Sequence, residues 1–256
     1  MYQPDFWMKP NRVPILNKKK IDSIGERLIQ EYQPGALHHA EEIDIDGFVE
    51  FYLNRDTDYQ YLSHNGVYLG MTVFNDSLVP VYDPETERAE YVKEKAGTVI
   101  IDNRLLEDDQ EHRYRFTMAH EGSHCVLHKQ YFEALMERMS NKDVSLAPLV
   151  VCRTVNRDLQ NRRPDEWTDY DSMEWQANYL GGALLMPEKM VRLLAAPHTS
   201  RMDDVKETRS FIKDLCAIFN VSYETACIRL MQLGYFDNRM AEELHRKNVS
   251  EYTPVK

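Results

Sequence analysis

The spacing of apolar residues divides the chain into a helical first part, a strand-rich middle and a longer helical remainder. Residues 18–32 and 44–53 carry apolar side chains every three to four positions, which predicts two helices after an irregular, proline-containing arm. β-Branched and aromatic runs separated by turn-forming residues then predict a small antiparallel or mixed sheet. These runs are 66–74, 79–82 and 98–101.

Helical spacing returns at about residue 109 and predicts two longer helices separated by a less regular insert at 130–171. The first of these helices extends to about Lys129, and the second extends from a cap at Ser172 to Leu185. Two consecutive glycines, 181 and 182, weaken the second helix. We interpret them as the place where another backbone approaches closely.

The first of these two helices carries the pattern H-E-x-x-H, with His120, Glu121 and His124 at its fixed positions. At about 100° per residue, the histidines lie roughly 40° apart on one helix face, so both imidazoles can reach one metal ion. Glu121 lies beside them, where it can act as general base for a water whose pKa falls to about 7 on Zn²⁺. The alternative interpretation is an amphipathic helix with two surface histidines.

The downstream residues decide where a third metal ligand can come from. Position 130 is glutamine, which excludes the metzincin pattern. His128 lies too far along the helix to share one ion with both other histidines, so we interpret it as a residue that packs beside them. Glu174 on the second helix would complete a His₂Glu set, with Asn178 one turn later to hydrogen-bond a ligand imidazole. Alternatively, Glu174 is an acid that the helix dipole favours near the helix N-terminus.

Two segments carry a more specific signature. Residues 114–128 read YRFTMAHEGSHCVLH, and residues 174–187 read EWQANYLGGALLMP. They resemble the ImmA/IrrE family of metallopeptidases, whose members carry R-F-T-x-A-H-E-x-G-H and later E-x-x-A-N-x-F-A-x-x-L-L-M-P. The similarity covers about residues 18–240. The chain departs from the family at 122–123 and 180–182, and its insert between the two motifs is long.

The resemblance implies an α+β, zincin-like fold in which a small β-sheet packs on two metal-binding helices, with additional N- and C-terminal helices. It implies that His120, His124 and Glu174 bind Zn²⁺ and that Glu121 is the catalytic residue of an endopeptidase. In characterised members the substrate is typically a transcriptional repressor, often of a mobile element or a stress regulon, cleaved in the cytoplasm.

On this basis we predict three segments along the chain. Residues 1–65 form an N-terminal arm and helices, residues 66–196 form the catalytic core, and residues 197–256 form a C-terminal helical segment packed on that core.

Composition bears on partners and compartment. The net charge is −11, and an acidic surface disfavours nucleic acid. No apolar run approaches the roughly 18 residues of a membrane span, and the start lacks the pattern of a signal peptide, so we expect a cytoplasmic protein without membrane contact. The four cysteines are widely spaced, which favours reduced, mostly buried thiols. We expect Cys125, next to a ligand histidine, to be such a thiol and not a nucleophile.

Two other functions stay open on the sequence alone. The protein could be a metal-binding regulatory or interaction protein without proteolysis, although an intact Glu121 argues against this. Residues 203–234 could instead form a DNA-binding helix-turn-helix. Residues 203–247, however, hold seven Lys/Arg against eight Asp/Glu, so they lack the basic surface that DNA binding needs.

Two details of the predicted active site also stay open. Residues 98–101 form either an interior strand or an edge on which an extended substrate peptide adds. A residue that stabilises the oxyanion must come from a group of four candidates, and the sequence does not choose among them. They are Tyr170, Tyr179, His112 and His128.

Overall fold

The first predicted helix, α1 (Lys18–Tyr32), is present and begins where Asn17 caps it by accepting a hydrogen bond from the backbone N–H of Lys20. The computed structural model describes residues 2–140, 150–154 and 166–251. The apolar stripe of α1 is fully buried, as its periodicity predicts. Its buried members are Ile21, Ile24, Leu28 and Ile29.

The other helices follow the predicted order with one addition. The second predicted helix is short: α2 (Ile45–Gly47) continues as a π-helix over Phe48–Tyr52. The insert opens with a helix that the sequence analysis missed, α4, and its parts at 141–149 and 155–165 lie outside the described residues. The longer helices are α3 (Glu111–Leu127), α4 (Lys129–Ser140), α5 (Asp169–Leu185), α6 (Glu188–Ala195), α7 (Val205–Phe219), α8 (Tyr223–Gln232) and α9 (Asn238–Glu251).

Six strands form two sheets within the described residues. They are β1 (Thr57–Gln60), β2 (Tyr68–Val73), β3 (Ser77–Asp83), β4 (Arg88–Glu94), β5 (Val99–Asp102) and β6 (Val150–Thr154). A four-stranded mixed sheet has the order β1-β5-β2-β6, with β1 parallel to β5 and β2 antiparallel to both of its neighbours. Among the strands that the structure describes, β3 and β4 form a separate two-stranded antiparallel sheet. The fold is therefore the α+β, zincin-like arrangement expected from the sequence.

The strand at 98–101 is an interior strand. β5 is hydrogen-bonded to β1 on one side and to β2 on the other, and all four of its residues are buried. The alternative in which this segment forms an open edge for a substrate peptide is therefore wrong, because both of its backbone edges already have partners.

The helix that carries Glu174 begins earlier than predicted. Thr168, not Ser172, is the N-cap, and it forms a reciprocal capping box with Asp171. Glu174 consequently lies in the second turn of α5, beyond the first turn in which the helix dipole favours an acid most strongly. A dipole preference alone thus gives a weak reason for an acid at this position.

The two long central helices, α3 and α5, contact each other at backbone distance. A Cβ atom added to Gly181 would lie 3.3 Å from the backbone nitrogen of His120, so a larger side chain would push the helices apart. The predicted close approach is confirmed at this position. Gly182 has no such need, because an added Cβ would meet only a side-chain oxygen of Gln232 at 3.9 Å.

A buried ion pair ties the C-terminal helices to the rest of the molecule. Arg229 on α8 donates to Asp22 on α1 at 2.6 Å and to the carbonyl of Met186 at 3.0 Å. Tyr179 on α5 donates to the other carboxylate oxygen of Asp22 at 2.8 Å. Helix α8 is thereby joined to α1 and to the C-terminal end of α5.

The turn between α7 and α8 also contacts the body. Asn220 adopts a left-handed conformation there, and its side-chain amide donates to Glu42 and Glu111. Its carbonyl accepts a hydrogen bond from the buried guanidinium of Arg115 on α3. Helices α7 and α8 thus join at a turn that is bound to the start of the helix carrying H-E-x-x-H.

Among the described residues, no helix is both long enough and apolar enough to cross a bilayer.

The ion pair of Arg229 gives a first prediction. Arg229→Met removes one partner and leaves the Asp22 charge buried, so it should lower the free energy of unfolding by about 3–5 kcal/mol. Urea unfolding followed by circular dichroism measures this. Arg192→Met is the matched control because Arg192 pairs with Glu188 on the surface, where such pairs contribute less than about 1 kcal/mol. Equal losses in the two variants would contradict the structural role of the buried pair.

Candidate metal centre

Three side chains converge where α3 and α5 meet. The Nε2 atoms of His120 and His124 lie 3.0 Å apart. Glu174 approaches from α5, with Oε2 3.5 Å from Nε2 of His120 and Oε1 3.4 Å from Nε2 of His124. All three residues are buried, and within the described part of the chain they form a group that could hold a metal ion. The structure therefore brings together the three residues that the sequence analysis named.

The far side of the His120 ring is held by the amide that the sequence analysis predicted. Nδ1 of His120 lies 3.1 Å from Oδ1 of Asn178, one turn beyond Glu174 on α5. An amide oxygen only accepts, so the proton of a neutral His120 is on Nδ1. Its Nε2 then directs a lone pair toward His124 and Glu174.

His128 contacts the opposite side of the His124 ring and is not among the three converging groups. Its Nδ1 lies 2.8 Å from Nδ1 of His124, while its Nε2 lies 3.1 Å from Oε1 of Gln176. Complete burial, reinforced by the neighbouring His124, holds the pKa of His128 well below its ordinary value. A neutral imidazole beside the cluster agrees with the prediction that His128 packs there without being a ligand.

The cluster fits a tetrahedral metal ion. Ligand bonds of about 2.0–2.1 Å at tetrahedral angles place neighbouring ligand atoms about 3.3 Å apart. The three distances here are 3.0, 3.4 and 3.5 Å. Two imidazole lone pairs and a carboxylate repel each other at such separations unless a cation lies between them. Oε1 of Glu174 is buried and accepts no hydrogen bond from the described residues, which leaves it available as a ligand.

The carboxyl of Glu174 is in its ionised form. Burial raises its pKa, but a proton on the Nε2 atoms of His120 and His124 that face it outweighs burial and holds the pKa well below its usual range; a metal cation bound between the three groups would take the place of that proton. An ionised carboxylate is the form that binds metal.

Glu121 lies on the side of α3 that faces the sheet. The hydroxyl of Thr72 on β2 donates to Oε2 of Glu121 at 2.6 Å, and both residues are fully buried. A Cβ atom added to Gly70 would lie 2.8 Å from Oε1 of Glu121, so only glycine leaves room for this carboxylate. The strand thus fixes the position of the carboxylate that the sequence analysis assigned as catalytic base.

Sequence reasoning missed three residues around the centre. Gly70, a glycine inside a strand, carried a usable signal, because such glycines mark the close approach of another group. Thr72 and Gln176 carried none, since a threonine in a strand and a glutamine in a helix are ordinary. Their importance comes from partners that lie 49 and 48 positions away in the sequence.

The structure separates the four candidates for oxyanion stabilisation. Tyr179 donates to Asp22 in the core, and Nε2 of His112 lies 3.0 Å from the side chain of Asn220. His128 contacts the far side of His124. Tyr170 is exposed and lies one helical turn before Glu174, on the same face of α5. Of the four, Tyr170 is the one that shares a helix face with Glu174 and is exposed to solvent, which leaves it as the candidate for the role.

Cys125 is a buried thiol. Its exposed fraction is 8 %, and burial raises its pKa to about 12. A thiol with this pKa is protonated at neutral pH and is a poor nucleophile. The cysteine side chains that the structure describes all carry free thiols, as expected from their spacing; they are Cys125, Cys216 and Cys227.

The fold and the site together define an H-E-x-x-H centre of the kind that metallopeptidases use. A family model described as the IrrE N-terminal-like domain, Peptidase_M78, matches residues 151–231. The resemblance to the ImmA/IrrE metallopeptidases is thereby confirmed over this range, and the match indicates a metallopeptidase. The matched range contains Glu174 and Asn178, while His120 and His124 lie upstream of it. A search of curated proteins finds no match to the chain.

The centre predicts metal binding. Purified protein should bind about one divalent transition-metal ion per chain, measured by elemental analysis after dialysis. His120→Ala and Glu174→Ala should each lose most of the metal, because each removes one of three converging ligands. Glu188→Ala, which removes a carboxylate from the surface of α6, is the control and should retain it. Full occupancy in Glu174→Ala would mean that the third ligand lies elsewhere.

Proposed function

We propose that the protein is a zinc-dependent endopeptidase that hydrolyses a peptide bond in a protein substrate. The observation that carries the proposal is the convergence of His120, His124 and Glu174 at separations of 3.0–3.5 Å, with Glu121 next to them on α3. Two nitrogen donors and one carboxylate, with no thiolate, match the His₂Glu ligand set of catalytic zinc sites.

Each residue of the centre has a role in this reaction. Bound there, Zn²⁺ would supply Lewis-acid chemistry that activates water and polarises the peptide carbonyl. Glu121 takes a proton from the attacking water and later delivers it to the leaving amine. Thr72 keeps the Glu121 carboxylate in one orientation, since its hydroxyl donates to Oε2. Tyr170 donates a hydrogen bond to the oxyanion that forms at the attacked carbonyl.

The resemblance to the ImmA/IrrE family supports a finer proposal about the substrate. We expect it to be a transcriptional repressor, often one that controls a mobile element or a stress regulon, cleaved in the cytoplasm. If a repressor gene lies next to the gene of this protein, its product is the first substrate to try.

The role of Glu121 gives a prediction that separates catalysis from binding. Glu121→Gln keeps the size of the side chain but removes the base, so it should bind metal normally and cleave about 10²–10⁴-fold more slowly. Cleavage of the purified candidate repressor is followed by gel electrophoresis and mass spectrometry. Glu133→Gln on the exposed face of α4 is the matched control and should cleave at the wild-type rate. Equal cleavage by wild type and Glu121→Gln would contradict the assignment.

A second candidate function is a metal-binding regulatory protein without proteolysis. The observation that favours it is burial, since His120, Glu121 and His124 are all 0 % exposed. A substrate carbonyl reaches such a centre only if the surrounding structure opens. Metal binding by the wild type, together with no cleavage by either the wild type or Glu121→Gln, would support this second function.

A DNA-binding role for residues 203–234 is the weakest of the three functions, and it gives a further prediction. The turn between α7 and α8 is bound to α3 and the local charge is near neutral, so we expect only non-specific binding. Fluorescence anisotropy with duplex DNA at physiological salt should give a Kd no tighter than about 10⁻⁴–10⁻⁶ M. Sequence-specific nanomolar binding would overturn this expectation.

A further inference from the structure

A chain of hydrogen bonds leads from the metal centre to the N-terminal arm. Nδ1 of His124 lies 2.8 Å from Nδ1 of His128, and Nε2 of His128 lies 3.1 Å from Oε1 of Gln176. The side-chain amide of Gln176 then donates to the backbone carbonyl of Pro14 at 2.8 Å. All four residues are buried, so water cannot replace any of these bonds without a rearrangement.

The direction of every bond in this chain follows from its last member. The carbonyl of Pro14 can only accept, so the amide nitrogen of Gln176 faces it and the amide oxygen faces His128. That oxygen also only accepts, which places the proton of a neutral His128 on Nε2 and a lone pair on Nδ1. His124 must then donate from Nδ1, and its Nε2 directs a lone pair toward His120 and Glu174.

We propose that His128 and Gln176 are positioning residues that fix the tautomer of His124, with the carbonyl of Pro14 as the acceptor that sets the direction of the whole chain. The proposal rests on the proposed function, because it treats His124 as a metal ligand. Asn178 does the same for His120 in one step, whereas His124 needs two intervening side chains.

The arm that supplies the Pro14 carbonyl is attached firmly to α5. Lys9 and Asn11 both donate to the carboxylate of Asp169 in the first turn of this helix, at 2.6 and 2.5 Å. Val13 is fully buried in an apolar cluster that includes Met173 of α5. Three successive parts of the arm thus contact one helix, and they hold the carbonyl in a constant position relative to Gln176.

A role of His128 in packing and a role as hydrogen-bond acceptor predict opposite effects of two substitutions at position 128. Phenylalanine has nearly the volume of histidine but cannot accept a hydrogen bond, whereas asparagine is smaller and has an oxygen near the position of Nδ1. If His128 only fills space, Phe should replace it better than Asn. If His128 accepts the Nδ1 proton of His124, Asn should replace it better than Phe.

The first experiment determines the tautomer in the full-length, metal-free protein. Two-bond ¹H–¹⁵N correlation spectra of the histidine rings distinguish protonated from unprotonated nitrogens. We expect His124 to carry its proton on Nδ1 and His128 on Nε2. A proton on Nδ1 of His124 supports the proposal whether or not Nε2, which lies 3.4 Å from Oε1 of Glu174, is protonated as well, and an unprotonated Nδ1 would overturn it. This reading needs neither metal nor substrate, so it tests the chain of bonds even if the proposed peptidase activity is absent.

The second experiment measures Zn²⁺ affinity by competition with a chromophoric chelator. Loss of the hydrogen-bond partner on the second ring nitrogen of a ligand histidine typically lowers metal affinity about 10–100-fold. We therefore expect a loss of about this size in His128→Phe and a clearly smaller loss in His128→Asn. The spectra of His128→Phe should show a mixture of His124 tautomers, and those of His128→Asn should show the Nδ1-protonated form. Affinity in the order Phe above Asn would overturn the proposal.

Gln176→Met tests the link to the arm. Methionine has a similar length but neither donates to Pro14 nor accepts strongly from His128, so we expect mixed tautomers at both histidines and weaker Zn²⁺ binding. Gln130→Met makes the same change on the exposed surface of α4 and should behave as wild type. Unchanged tautomers and affinity in Gln176→Met, with circular dichroism showing a folded chain, would overturn the role of Gln176.

Discussion

The backbone contact between α3 and α5 is the constraint on which the rest of the structure depends. Gly181 allows it, because any Cβ atom there would press on the backbone of His120. Only at this separation does the carboxylate of Glu174 reach both imidazoles at 3.4–3.5 Å. Ligands from two helices form a metal site only if the helices are held to within a few tenths of an ångström. The missing side chain of Gly181 therefore determines whether Glu174 can reach the two histidines.

Burial of the centre makes the surrounding hydrogen bonds necessary. An unpaired polar group in a dry interior costs about 1–3 kcal/mol, so each buried imidazole nitrogen needs a partner. Asn178 serves His120, and the chain through His128 and Gln176 serves His124. The same low polarity strengthens every electrostatic interaction at the centre. Burial therefore strengthens the interactions that would hold an ion at the centre, and at the same time it restricts the access of a substrate.

The sequence was informative wherever a structural feature has a local cause. The periodicity of α1 gave both of its ends, and H-E-x-x-H together with the segment after Glu174 gave the converging residues. The apolar pattern does not predict strands β1, β4 and β6. β1 is polar and half-buried and β4 is mostly exposed, so these two lack a clear apolar alternation. The cap of α5 was placed four residues late, because Ser172 and Thr168 are equally good capping residues and only the tertiary structure chooses between them.

Contacts between residues that are far apart in the sequence could not be predicted from local patterns. The same contacts show which parts of the chain the centre requires. Helix α5 lies within the segment that matches the family model, but its position is set from outside that segment: His120 packs on Gly181, Pro14 accepts from Gln176, and Asp22 accepts from Tyr179. The partners come from the arm, from α1 and from α3. The matched segment supplies one carboxylate of the centre, and the remaining residues supply both imidazoles, the base and the contacts that hold the carboxylate near them.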